Sequence, residues 1–145
     1  MIEDIENRIQ QLKSIDINSI LTEILKELVP DIVNLNVDQQ HLRKGIRSDN
    51  SYLGVYSEPY AKRRQKKGLQ TRHVDLQVTG EHHRNYTVKF NKDSFELTAP
   101  DDYVTPFLEA RYGPYIFGLA PDELDELRAK VKPLLIERLR KILEG

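Results

Sequence analysis

The stretch Tyr86-Thr87-Val88-Lys89-Phe90-Asn91-Lys92-Asp93-Ser94-Phe95-Glu96-Leu97-Thr98 decides the fold class. Tyr86, Val88 and Phe90 alternate with polar residues, and after a break Phe95 and Leu97 do so again. A period of two places one side of each segment on a core. Asn91-Lys92-Asp93 is turn chemistry, so the two segments read as an antiparallel hairpin or meander. Just upstream, Val74, Leu76 and Val78 alternate with Asp75, Gln77 and Thr79, which predicts a further half-buried strand ending at Thr79-Gly80.

Outward from this sheet the period changes to that of helices. Ile2, Ile5, Ile9 and Leu12 form one stripe, and Ile20, Leu21, Ile24, Leu25 and Leu28 a second. Asn18 or Ser19 is the expected cap between them. Pro30 must kink or end the second helix, because it lacks a backbone donor and clashes one turn back. The segment 39–45 reads as an exit, with Gly45 as C-cap. Beyond the sheet, Ala99-Pro100-Asp101-Asp102 breaks the strand and caps a short helix ended by Tyr112-Gly113-Pro114. A long helix starts near Pro121, acidic at its start and basic at its end, an order that complements the helix dipole. Pro133 is expected to kink it.

The expected fold is therefore α+β, a small antiparallel sheet packed against N- and C-terminal helices, with an extended basic loop or arm. The 145 residues fit one domain, with helices in 1–44, the arm in 45–73, the sheet in 74–98 and helices in 99–145. The chain has no cysteine, which excludes disulfides and thiolate metal sites. No apolar run approaches the ~20 residues of a membrane helix, so no membrane partner is expected. The acidic start Met1-Ile2-Glu3-Asp4-Ile5-Glu6 is unlike a signal peptide and places the start of the chain in a cytoplasm.

The sharpest local feature is the run 62–72, in which Lys62, Arg63, Arg64, Lys66, Lys67 and Arg72 make six of eleven residues basic and none is acidic. Ser57 and Pro59 look like the start of a short helix or loop arm over 60–67, stopped by Gly68. With a net charge of −1 overall, the rest of the chain carries −7. Such an arm suits an acidic protein surface, or DNA phosphates through counterion release. The run has no interleaved aromatic for stacking on single strands. One basic arm and acidic surface elsewhere also suit head-to-tail association, which closes into a ring when the rotation permits. Tyr52, Tyr56, Tyr60, Tyr115 and Phe117 are expected as interface anchors, since such side chains carry large contact areas.

Glu81-His82-His83-Arg84 invites a metal or acid–base reading, alone or with Asp101-Asp102. Neighbouring histidines diverge, however, and the two-histidine spacing of zinc proteases is missing. The carboxylate pair reads as a cap. No glycine spacing cradles phosphate. No catalytic residue, metal site or cofactor is expected.

Three further segments carry a resemblance: Tyr60-Ala61 through Gly68, Val78-Thr79-Gly80, and Ile116-Phe117-Gly118-Leu119 before Pro121-Asp122-Glu123. In this order they resemble the neck, head–tail joining and tail-completion proteins of tailed bacteriophages and prophages, over about residues 35–127. Residues 36–57 are similar to versions from phages of Bacteroidetes-type hosts. The stripes in 2–28 have no counterpart in that match. The resemblance implies a non-enzymatic virion protein, assembled in the host cytoplasm as a homo-oligomeric ring. Its partners would be portal, connector or tail subunits, with possible contact to packaged DNA. A DNA-binding module using 62–72 is the alternative.

Overall fold

The computed structural model describes residues 2–77, 80–100 and 104–144. The first stripe forms α1, Ile2–Ser14, and the second forms α2, Ile17–Glu27. The cap of α2 is Asp16 rather than Asn18 or Ser19, and its carboxylate accepts from the Ser19 N–H at 3.2 Å. A carboxylate one turn earlier satisfies a free helix donor and faces the positive end of the dipole. The second helix ends at Glu27, three residues before Pro30, as expected; Pro30 itself lies in the first turn of a new helix, α3, Val29–Asn34, where a missing donor costs least.

The expected exit after α3 is instead a π-helix, Leu35–Lys44, continuous with α3. Its wider turn is closed by i→i+5 bonds, which brings residues four and five apart onto one face. Gly45 ends it in the left-handed conformation, at φ 65°. A Cβ at this position would also lie 2.5 Å from the His73 ring, so conformation and space both require glycine.

The first half of the basic run lies in α4, Glu58–Lys66, and residues 67–72 follow it as turn and irregular backbone. A single turn, α5, Glu81–Arg84, leads to β1, Thr87–Phe90, which pairs antiparallel with β2, Phe95–Thr98. Val88 faces Leu97 and Phe90 faces Phe95, the register expected from the alternation. An isolated hairpin is marginal in water, and α3 and α2 cover this one. Next come α6, Val104–Tyr112, a 3₁₀ turn, Pro114–Ile116, and α7, Pro121–Glu144. The helix α7 runs through Pro133 with Lys132 still helical, so the proline removes a rung without splitting the helix.

No strand forms over residues 74–77; Val78 and Thr79 lie outside the described residues, as does the Asp101-Asp102 cap. The pattern is strand-like, but the Asp75 carboxylate accepts the Gln77 N–H at 2.9 Å, and the Asp75 N–H donates to the Tyr56 hydroxyl at 3.1 Å. Side chains thus take groups that a ladder would need. Leu76 sits at φ 64°, which breaks the extended path.

Two apolar clusters form the core. Ile32, Leu35, Leu97, Leu119 and Leu127 join α3, the π-helix, the hairpin and α7. Leu53, Val74, Leu76, Leu108 and Ile116 join the central segments to α6. Phe117 packs against both clusters.

Candidate assembly interface

Helical geometry sorts the basic run into two faces. Tyr60 and Arg64, four residues apart, turn toward the body, while Lys62, Arg63, Lys66 and Lys67 stay exposed, as does Arg72 beyond the helix. Arg64 is only 1% exposed, which corrects its placement among the partner-contact residues. Its Nη2 donates to both carboxylate oxygens of Asp75, at 3.0 and 3.1 Å. Nε donates to the Gln70 carbonyl at 3.0 Å, Nη1 to the Gln77 carbonyl, and the guanidinium lies 4.2 Å from the Tyr56 ring centre. Asp75 also accepts from Tyr56 Oη at 2.9 Å and Gln70 Nε2 at 2.7 Å. Every charge here has partners, which is what makes a buried pair tolerable. Burial first, then the negative charge of Asp75, holds the Tyr56 phenol protonated well above its ordinary range.

Beside α4 is a cleft of about 410 Å³. Val55, Tyr56, Ser57 and Tyr60 form one side, Val74 and Leu76 the floor, and Phe107, Leu108, Arg111 and Tyr112 of α6 the other side. Tyr56 and Tyr60 meet edge to face at 5.2 Å. Phe107 is 63% exposed and Val55 69%. Of the expected anchors, Tyr56 and Tyr60 line this cleft, and Tyr52 and Tyr115 are exposed. Tyr56 is half-buried and also tied inward through Asp75, and half-buried Phe117 packs against both cores, so these two serve the fold as well.

A second apolar surface lies at the N-terminus. No residue of α1 is buried, and Ile2, Ile5, Ile9 and Leu12 are 44–74% exposed. The helix lies along α7, whose far end adds exposed Ile136 and Ile142. Apolar residues gathered on one helix face differ from the scattered exposed ones that any protein has.

The π-helix holds buried polar groups that the sequence did not flag as a set. The Asn36 amide donates to the Ile116 carbonyl at 3.2 Å and accepts the Gly118 N–H at 3.1 Å. Gln40 donates to the Gly118 carbonyl at 2.9 Å and accepts the Ala120 N–H at 2.7 Å. His41 Nε2 lies 2.7 Å from the Ile116 carbonyl. These side chains bind residues 116–120 much as a neighbouring strand would. Lys44 then reaches the buried Glu123 at 2.5 Å, and that hydrogen bond raises its ammonium pKa further.

His82 and His83 join this set from α5. The His41 and His83 rings are 5.6 Å apart, and Tyr86 Oη lies 3.2 Å from His82 Nε2 and 3.4 Å from His41 Nδ1. Burial, then the neighbouring His83, lowers His41 to about 3; burial, then His82, lowers His83 to about 4. Both rings are neutral at pH 7. The sequence showed no second half for the pair His82-His83; His41 supplies it through the fold. Among the described residues no three His, Asp or Glu side chains converge as metal ligands, and no helix is long and apolar enough to cross a membrane.

Comparison of the chain with protein-family models, with curated proteins and with solved structures finds no match.

Proposed function

We propose that this chain is a structural virion protein of a tailed phage or prophage, part of the head–tail connector, neck or tail-completion ring, with no catalytic role. The observation that carries the proposal is the pair of contact surfaces on one small body. One is an exposed apolar helix, and the other is an aromatic cleft beside a basic helix. Surfaces of this kind serve protein–protein association, and a stable interface needs about 1,000 Å² or more. One segment of the phage resemblance, Ile116-Phe117-Gly118-Leu119, has a structural use here. Gly45 and residues 116–120 belong to the brace around the π-helix, which would keep the body rigid while its surfaces engage. The direct test is mass spectrometry and electron microscopy of virions from the source phage or induced prophage. The chain should be present at ring stoichiometry, and its absence from purified virions would sink the proposal.

A second reading, direct DNA contact, is favoured by the five exposed cations Lys62, Arg63, Lys66, Lys67 and Arg72. It predicts DNA retention whose affinity falls steeply with salt. Arg63→Glu with Lys66→Glu would then abolish retention and leave oligomer size unchanged.

A further inference from the structure

We infer that α1 of one copy docks into the Tyr60–Phe107 cleft of the next, a head-to-tail contact that resting monomers leave open. This rests on the assembly reading and names the surfaces through which copies would meet. Three features of the molecule converge on it.

The first is shape. Ile2, Ile5, Ile9 and Leu12 sit at spacings of three and four, a continuous stripe along one side of α1. The stripe extends about 15 Å at 1.5 Å per residue. The cleft is walled on one side by Val55, Tyr56, Ser57 and Tyr60, the last on α4, and on the other by α6, nine residues and so about 13 Å long. An amphipathic helix laid into an apolar groove is a recurrent recognition mode, with anchors spaced as these are.

The second is charge. Glu3, Asp4 and Glu6 crowd the first half of α1; Arg8, 3.6 Å from Asp4, offsets part of that charge at the middle, and Lys13 closes the helix. The cleft is bordered by Arg111 and, through Tyr60, by the face carrying Arg63, Lys66 and Lys67. Glu58, exposed and 3.8 Å from Lys62, stands at the opposite end of α4. An antiparallel fit of α1 to α4 places acid beside the Arg63–Lys67 end and Lys13 beside Glu58, whereas the parallel fit opposes like charges.

The third is symmetry. Stripe and cleft are different surfaces, and α1 lies along its own α7. A contact between unlike surfaces leaves one stripe and one cleft free at the ends of any chain of copies, so it propagates until it closes.

The chain has no cysteine, so placed thiols report unambiguously. Both Ile9 and Phe107 are exposed, so replacing them leaves the fold intact, which circular dichroism verifies. The variant Ile9→Cys with Phe107→Cys, treated with a short bis-maleimide, should give a ladder of covalent oligomers, and each single variant should give none. Cross-linked dimers from Ile9→Cys alone would mean that α1 pairs with α1 and would overturn the inference; so would absence of any ladder. Complementation gives a second readout by light scattering. Ile5→Asp with Ile9→Asp, and Phe107→Asp with Val55→Asp, should each weaken self-association roughly thirtyfold or more. Their mixture should form dimers that grow no further. If wild-type protein assembles while neither thiol pair nor mixture behaves so, the docking mode is wrong and the assembly role stands. If the chain is missing from virions while the ladder forms, the virion role fails and the contact stands.

Discussion

The π-helix and α1 invert the usual arrangement in opposite ways. In the π-helix, Asn36, Gln40 and His41 are polar and wholly buried; in α1, Ile2, Ile5, Ile9 and Leu12 are apolar and exposed. The two inversions have different consequences. Buried polar groups that find every partner fix one backbone path, because any alternative leaves them unpaired in a low dielectric. Exposed apolar groups fix nothing within the chain and gain only when another surface covers them. Stability should therefore reside in the polar interior, and association in the apolar exterior.

Arg64 offers the strongest way to break that division. Arg64→Ala leaves Asp75 buried without its counter-charge and should cost about 3–5 kcal/mol in chemical denaturation. Arg63→Ala, one residue away on the outer face, should change stability by less than about 0.5 kcal/mol. Equal effects would refute the sorting of α4 into two faces.

Acid probes the histidines. His41 and His83 titrate below the ordinary 6.5 in the folded state, so the unfolded chain takes up their protons first as pH falls. Stability is then complete above pH 6.5 and is lost downward from there toward pH 4 and below, at a cost of about 2 kcal/mol per histidine by pH 5. His82, Tyr86 and Asp75 surround these rings, and none supplies a charge that reverses the sign. His41→Phe should flatten the slope of denaturation midpoint against pH, while a slope unchanged by that replacement would remove the histidines from the account.

Gln40→Leu tests the brace on residues 116–120. It strands the Gly118 carbonyl and the Ala120 N–H and should cost about 1–3 kcal/mol. The smallest expected effect is at α1, where Ile5→Ser with Ile9→Ser should leave the unfolding midpoint almost unmoved. A large loss there would mean that the stripe serves the fold rather than a neighbour.

How much of this was legible in the sequence depends on period. The hairpin and the terminal helices announce themselves because alternation and the 3.6-residue stripe map directly onto burial. Gly45 was legible as a C-cap because few residues tolerate its conformation. Arg64 was not legible, since six basic residues look alike until helical phase sorts them. The brace was hidden for a related reason: Asn36, Gln40 and His41 share a face only in a π-helix, whose period no ordinary template contains. Residues 74–77 misled because their alternation is real, while the Asp75 side chain competes for the backbone. Across α4, the cleft and α1, the sequence supplied basic charge, an aromatic and a stripe, and only the fold set Phe107 and Arg111 beside Tyr60.

Pro133 has a mechanical consequence. Upstream of it, Leu127 and Val131 seat α7 in the core; downstream, Arg138 reaches Glu27 and, at 3.7 Å, Glu23 on α2. The lost rung makes this joint the softest point of the helix. The outer part is held to the body by half-buried Leu134, Leu135 and Leu139 and also by these partly exposed charges, and only the charges are screened by dissolved salt, over about 10 Å at 0.1 M. Ionic strength therefore acts on the charged part of this joint alone, and amide hydrogen exchange should quicken modestly in residues 134–144 as salt rises while the core stays protected.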